Sequence, residues 1–331
     1  VAALVTADLH LSEKQRDSYR FAAMERLAGL IEKHKPQELI ILGDLTENKD
    51  YHPATLVNDV VDVIYSLSCM VDALYIPSGN HDYTQSDTPF FHFLRRFSKI
   101  KWINKVRLEE LSIGRCLFLP HTRDYEKDWV TLATSSKHQP SWIFAHNTFE
   151  GAVTEHGKRL SGIPTEIFPK GIPVVSGDIH TPQTLGPVTY VGSPYTIDFG
   201  DDFEPRVLLL AKTRKESIPL PGPQKRLIEL SAGYNLNKVK ANPGDIVKAR
   251  YKLKLEEQDK WFAIRDRIKR ELLARELIVH LIQPVTTAKT RSVQIKRPDN
   301  KSDERIVQEF GQQRKLTKAR LQVGMDLLEK A

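Results

Sequence analysis

Five short apolar runs in this chain each end in a cluster of aspartate, histidine and asparagine, and that recurrence constrains the fold more than any other feature. ALVTA (3–7) runs into Asp8-Leu9-His10 and ELIIL (38–42) into Gly43-Asp44. ALYIP (73–77) leads to Gly79-Asn80-His81-Asp82, SWIFA (141–145) to His146, and IPVVS (172–176) to Gly177-Asp178-Ile179-His180. Runs of this length and composition read as buried strands. Between them the period changes. Phe21, Met24, Leu27, Leu30 and Ile31 recur at helical spacing over 19–34, and Leu56, Val60, Val63, Ile64 and Leu67 over 56–67. Strand alternating with helix predicts an α/β layered domain whose helices cover a central sheet. Further strands are expected at 116–120, 189–192 and 206–211. In open α/β sheets, ligands gather beyond the carboxyl ends of the strands. The five clusters are therefore expected along one rim.

The residue types at that rim have a common chemistry. Asp8 and His10 are two apart, and Asp178 and His180 repeat the spacing. Asp44 and Asn80 each follow a glycine, whose missing side chain lets a turn bring the next residue in close. Carboxylate, imidazole and amide donors without thiolate suit hard or borderline cations such as Mn²⁺, Mg²⁺ or Fe²⁺. Two such ions, about 3.5–4 Å apart and sharing a carboxylate, form the arrangement that hydrolyses phosphate esters by in-line displacement. Any single pair, taken alone, reads more often as a turn or a satisfied polar strand end. The series of five, each after a strand, points to one constellation.

Composition narrows the class. The chain has 331 residues and a formal charge of +7. Residues 1–206 carry 21 Lys and Arg against 27 Asp and Glu, whereas 207–331 carry 28 against 15. An acidic half joined to a basic half fits carboxylates gathered for metal and cations gathered for phosphate, or simply a solvated basic surface. No stretch approaches the roughly 18 apolar residues of a spanning helix, and the start VAALVTADLHLSEK shows no export signal. No partner membrane is expected. Cys69 and Cys116 form no CxxC pair and read as inert buried thiols, so the cytoplasm is the expected compartment, the host bacterial cytoplasm if the chain is phage-encoded. No GxxxxGK[ST] phosphate loop occurs, so no ATPase of the chain's own is expected.

The series D-x-H, GD, GNHD, H, G-x-x-H resembles that of the calcineurin-like metallophosphoesterases. ADLHL, GDLTEN, PSGNHD, FAHN, SGDIH and YVGSPY followed by DFGDD resemble, more narrowly, the SbcD-type nuclease subunits, particularly bacteriophage ones. The resemblance implies an α/β, four-layer-type metallophosphoesterase fold, a β-sheet core covered by helices, with a small α+β capping domain and a helical C-terminal tail. It implies two divalent cations, Mn²⁺ first and Mg²⁺ as the alternative. Asp8, His10, Asp44 and His180 would surround one, and Asp44, Asn80, His146 and Asp178 the other. Cellular members usually have histidine where this chain has Asp178, which leaves a second role open there, in support of the ligands. His81 would contact the scissile phosphate and help protonate the leaving oxygen, and Asp82 would orient His81. The implied activity is a DNA nuclease, a double-strand 3′-to-5′ exonuclease and single-strand endonuclease serving recombination, repair and replication. The implied partners are DNA, a coiled-coil SMC-like ATPase of the SbcC type, and, for many members, a second copy. The alternatives are a stand-alone phosphoesterase acting on nucleotides or other small phosphoesters, and a non-catalytic DNA-binding protein.

Three parts are expected: a nuclease domain over 1–212, a DNA-binding cap over 225–285, and a linker and partner-binding helical tail over 286–331. The proline-rich 213–225 reads as a linker. In the cap, 246–255 reads as a strand, 259–275 as an amphipathic helix with Trp261, Phe262 and Leu273 in its core set, and 277–282 as a strand. Lys248, Arg250, Lys252 and Lys254 alternate, so a period of two puts them on one face as DNA contacts. Arg265, Lys269 and Arg275 follow on the helix. Tyr190, Ser193 and Tyr195 are candidates to face DNA, or to form a structural turn. In the tail, Ser302 is the expected N-cap and Gly311 the expected break. His121, after another strand, is a further candidate for the cleft; His34, His52, His92, His138 and His156 read as ordinary.

Overall fold

The computed structural model describes residues 1–85, 88–129, 140–154, 157–286, 303–314 and 316–328. It divides into two units, Val1–Val285 and Thr286–Ala331. The larger unit is built on two six-stranded sheets. The first contains β1 (Ala3–Ala7), β2 (Glu38–Leu42), β3 (Ala73–Pro77), β6 (Ile100–Ile103), β13 (Arg206–Leu210) and β14 (Lys215–Pro219), in the order β14-β13-β1-β2-β3-β6. The second contains β7 (Arg107–Leu111), β8 (Gly114–Leu119), β9 (Trp142–His146), β10 (Val174–Gly177), β11 (Gln183–Leu185) and β12 (Val188–Tyr190), in the order β11-β12-β10-β9-β8-β7. A short pair, β4 (Tyr83–Gln85) and β5 (Thr88–Pro89), follows the β3 loop.

The two-residue period of each strand assigns the layers. Leu39 and Ile41 of β2 face α1 (Tyr19–His34) and α2 (Ala54–Cys69), packing with Met24, Leu27, Val60 and Ile64. Ile40 and Leu42 face the other way, onto Phe118, Phe144 and Val175 of the second sheet. That sheet repeats the device. Ile143 and Ala145 of β9 face outward under Trp129, Phe149 and Phe168. Helices, sheet, sheet and an outer covering make four layers, and strands buried on both faces read as unbroken apolar runs for that reason. Here the expected fold class is the observed one.

β1, β2, β3 and β6 are mutually parallel, as are β8, β9, β10 and β12. Ala7 is level with Leu42, and His146 with Gly177. The carboxyl ends of the two sheets meet at one edge, where His146 Nδ1 sits 2.6 Å from the Leu42 carbonyl oxygen.

The third sheet, β15-β16-β17, comprises β15 (Lys225–Leu230), β16 (Ile246–Leu253) and β17 (Ile278–Thr286). A short helix, α3 (Tyr125–Asp128), follows β8, and α4 (Trp261–Leu273) covers the third sheet through Ile268 and Leu272. Several local expectations need correction. Lys215–Pro219 is a strand inside the presumed linker, paired along its length with β13; its prolines sit at its end and beyond. β15 carries Lys225, Arg226 and Glu229 among Leu227, Ile228 and Leu230, with neither an unbroken apolar run nor a clean alternation to mark it as a strand. Phe262 and Leu273 point to solvent, at 67% and 50% exposure, because the sheet takes the Trp261, Ile264, Ile268 and Leu272 stripe of α4 and these two lie off it. Cys69 is exposed at the end of α2, while Cys116 is buried.

In the smaller unit, α5 (Asp303–Gln313) and α6 (Lys318–Leu328) are helices. α5 continues through Gly311, so the break lies after it. A Cβ at Gly311 would run into Leu321 Cδ1, so this glycine serves close packing of α5 on α6. Ser302, His138, His156 and the basic stretch 287–301 lie outside the described residues. No helix among the described residues is long and apolar enough to cross a membrane.

Candidate metal centre

Each cluster sits where its strand leaves the sheet. Asp8, His10, Asp44 and Asp178 all have left-handed backbones, with φ of 55°, 42°, 55° and 85°. Such residues cost about 1–3 kcal/mol each and persist where the surroundings over-determine them. Four of them at the strand ends mark this edge as the strained part of the molecule. Gly43 (φ 73°) and Gly79 let the β2 and β3 loops touch. A Cβ on Gly43 would lie 2.5 Å from Gly79 N, and one on Gly79 would meet Asp44 Oδ1.

The loops are tied by carboxylates accepting from backbone. Asp82 accepts from the amides of Asp44 (2.9 Å), Leu45 (3.0 Å) and Gly79 (2.7 Å). Asp178 N donates to Asp8 Oδ1 at 2.9 Å, and His81 N to Asp44 Oδ1 at 2.7 Å. Asp82 therefore clamps the β2 and β3 loops together and does not orient His81. That role falls to Glu47, whose carbonyl lies 2.7 Å from His81 Nδ1. A carbonyl only accepts, so Nδ1 carries the proton and Nε2 is left for other work. The same logic applies to His146: Nδ1–H donates to the Leu42 carbonyl, and Nε2 is buried with no hydrogen-bond partner.

Asp44 is at the middle of the cluster. Its Oδ2 lies 3.5 Å from His10 Nε2 and 3.5 Å from His146 Nε2, too long for a hydrogen bond and of a length that leaves room between them. On one side, His10 Nε2 faces His180 Nε2 at 3.1 Å. On the other, Asp178 Oδ1 lies 3.9 Å from His146 Nε2 and accepts from Asn80 Nδ2 at 3.1 Å. Thr148 Oγ1 donates to the other Asp178 oxygen at 2.5 Å, a support that no local pattern announced. Three groupings of donor atoms come together: Asp8, His10 and His180; His10, Asp44 and His81; Asp8, Asp44 and His146.

The electrostatics match a site short of positive charge. Burial, with Asp44 adding to it, pushes the Asp8 carboxyl up to about 7 despite His146 and His180. Burial opposes ionisation of Asp44 as well, but His146, His10 and His81 together hold it well below the ordinary carboxylate range. Burial works against a charged His146, yet Asp44, Asp8 and Asp178 keep its proton on well above the usual imidazole range. Burial takes His10 the other way, well below that range. Asp8 Oδ2, Asn80 Oδ1 and His146 Nε2 are buried without hydrogen-bond partners. Buried polar atoms are rarely left so, and a divalent cation fits these oxygen and nitrogen donors.

The structure thus brings together Asp8, His10, Asp44, Asn80, His81, His146, Asp178 and His180. It separates Tyr190 and Ser193 from any surface. Both are fully buried, and Tyr190 Oη accepts from Phe149 N at 2.8 Å and donates to the Asn147 carbonyl at 3.1 Å. Ser193 donates to the Tyr195 carbonyl at 2.5 Å, so these residues shape the interior and cannot touch DNA. His121 joins the rim from the end of β8, its ring 6.3 Å from that of His146. Burial pushes its imidazole down to about 4, with His146 adding to the effect. A cleft of about 1170 Å³ opens there, lined by Asn80, His121, Lys49, Lys105, Arg123 and Lys127, among others. On the third sheet, Lys248 and Arg250 are half-buried and Lys252 exposed on one face of β16, while Lys254 has left the strand. Lys252 pairs with Glu229 at 3.1 Å.

Comparison with family models matches residues 2–209 to the calcineurin-like phosphoesterases. The chain belongs to that family. Its members hydrolyse phosphoesters with divalent metal ions, and the matched span contains every rim residue named above. No curated protein matches this phosphoesterase. Among solved structures it is similar to YfcE, a phosphoesterase from E. coli, at 16% identity over 66% of this chain and 93% of that one, with a TM-score of 0.37. Nuclease MPE from Pseudomonas putida is 15% identical over 66% and 72% of the two chains, with a TM-score of 0.32. A hypothetical protein from Thermus thermophilus is 12% identical over 66% and 98%, with a TM-score of 0.39.

Proposed function

We propose that this phosphoesterase is a Mn²⁺-dependent DNA nuclease, an exonuclease on double-strand ends and an endonuclease on single strands. We further propose that it works as the nuclease subunit beside a coiled-coil, SMC-like ATPase engaged by the helical tail. The observation that carries the hydrolytic part is Asp44 Oδ2 standing equidistant from His10 and His146 between two sets of donors. A carboxylate so placed could be shared by two cations, were both donor sets to hold one. When bound, the pair of divalent ions would lower the pKa of an attacking water and neutralise charge growing on the phosphoryl oxygens.

The chain's own residues supply the rest. Asp8, His10 and His180 would hold one ion, and Asn80, His146 and Asp178 the other. His81, with Nδ1–H fixed on the Glu47 carbonyl, presents Nε2 to the departing oxygen; as the imidazolium it would give that oxygen its Nε2 proton and be left neutral with Nδ1–H still in place. Asp82 keeps the loops bearing Asp44 and His81 in register. The choice of DNA is supported by the basic second half and by the shared face of Lys248, Arg250 and Lys252, which would follow a phosphate backbone and bind in a salt-sensitive way.

The test is digestion of end-labelled duplex and of circular single-stranded DNA with Mn²⁺, for the whole chain and for a chain lacking 302–331. Cleavage of both substrates is expected, with ATPase-dependent stimulation confined to the full chain. Turnover of mononucleotide esters with no DNA cleavage would establish the small-substrate reading in its place.

A further inference from the structure

Charged side chains that the reaction does not use are concentrated beneath the loop Leu9–His10. Asp17 and Arg20, around the start of α1, are buried, and so is Lys225, the first residue of β15. Lys225 Nζ lies 2.9 Å from Asp17 Oδ1 and donates to the Ile197 carbonyl at 2.8 Å. Asp17 Oδ1 is also 3.6 Å from Arg20 Nη2. Arg20 Nη1 donates in turn to the His10 carbonyl, and to Glu47 Oε2 at 2.7 Å. Glu47 is the residue whose carbonyl fixes His81. A continuous run of polar contacts therefore starts at the third sheet and ends on both His10 and His81.

Burying three charges is costly, and well-packed apolar side chains of similar volume often serve stability as well or better. What apolar residues cannot do is grip a carbonyl. The His10 carbonyl belongs to a left-handed residue that must be held from outside. The stretch after β12 braces the same loop from a second direction: Tyr195 Oη donates to the Leu9 carbonyl, and Tyr19 Oη to that of Thr196 at 2.6 Å. Thr196 Oγ1 accepts from Lys225 N at 2.7 Å, closing the network on the third sheet.

We propose that Lys225, Asp17 and Arg20 are positioning residues, a strut through which the third sheet holds His10 and His81 in reactive register. The inference rests on the hydrolytic reading of those two histidines. It implies that a partner or substrate that displaces the third sheet alters the metal centre without touching it.

The test uses the whole chain with Lys225→Met, which keeps the stem and removes the charge, and with Lys225→Arg, which restores it. Readouts are the Mn²⁺ isotherm, far-UV circular dichroism, and kcat and KM on bis-p-nitrophenyl phosphate, a diester too small to reach the third sheet. Partners that support metal-bound histidines are typically worth about 10–100-fold in affinity or activity. Lys225→Met is expected to weaken Mn²⁺ binding and lower kcat by about tenfold, the lower end of that range, with KM within about twofold, and Lys225→Arg to recover most of both. Asp17→Asn, which leaves the shape and removes the charge between the two cations, should move both readouts the same way, and decides the matter if Lys225→Met does not fold. A folded variant of either kind with wild-type Mn²⁺ affinity and kcat overturns the strut. Wild-type protein that binds Mn²⁺ but cleaves no diester would defeat the hydrolytic reading instead, and the isotherms would still judge the strut.

Discussion

The edge where the two large sheets end and the outer face of the third sheet are both rich in charge, yet they are built in opposite ways. At the edge, Asp8, His10, Asp44, Asp82 and His146 are buried, backbone amides and carbonyls hold the loops, and Asp8, His10, Asp44 and Asp178 are left-handed. On the third sheet Lys252 is exposed and so is its partner Glu229, and just beyond β16 the same holds for Lys254 and Glu256. Burying polar groups is expensive unless each is satisfied, whereas exposed ion pairs contribute little. The edge therefore has one geometry and one chemistry. The outer face has a charge pattern that many geometries would satisfy, which suits contact with a repeating, flexible polyanion.

Mutation should separate the two regions sharply. His81→Ala is expected to lower kcat by about 10²–10⁴-fold, the range for a lost general acid or base, with Mn²⁺ binding retained; a loss of bound Mn²⁺ would make His81 a ligand. Replacing Lys248, Arg250 and Lys252 together by alanine should leave kcat on a small diester unchanged. It should flatten the log–log salt dependence of DNA binding by about 2–3, close to 0.9 per lost phosphate contact. An unchanged slope would place the DNA path elsewhere, with the cleft beside His121 as the next surface to test.

A subtler difference lies in pH. Asp8 is raised to about 7 and His146 well above its usual range, so without metal both hold protons that a cation must displace. Mn²⁺ affinity should fall as pH drops through 7, with protons released on binding, as calorimetry in buffers of different ionisation enthalpy would read. Release that stays constant from pH 6 to 8 would contradict these assignments. The smallest effect belongs to the helix over the third sheet: Phe262→Ser, on the exposed side of α4, should change unfolding free energy by no more than about 0.5 kcal/mol in a denaturant titration.

Much of the edge was legible because its information is local. A run such as ELIIL is buried on both faces, so its limits in the sequence coincide with those of β2, and the residue after the strand lands at the rim by connectivity alone. The helix over 19–34 was legible in the same way, from its apolar stripe. What was not legible depends on distant partners. Asp82 reads as a neighbour of His81, yet it bonds to amides 37 and 38 residues away. Tyr190, the last residue of β12, and Ser193 just beyond it look like cleft residues because they stand at a strand end, but the layer containing Phe149 covers Tyr190 and Ser193 is fully buried. The third sheet was harder to read, since half-exposed strands such as Lys225–Leu230 mix charge with apolar residues, and the helical stripe over 259–275 did not reveal that Phe262 and Leu273 lie off the face the sheet covers.

The most direct measurement is a count of tightly bound Mn²⁺ per chain by calorimetric titration, for the wild type and for Asp44→Ala. If one carboxylate is shared between two donor sets, the wild type should take up two ions, and Asp44→Ala should lose high-affinity binding of both together with hydrolysis. One ion in the wild type, or two in an Asp44→Ala protein that still cleaves phosphodiesters, would contradict it.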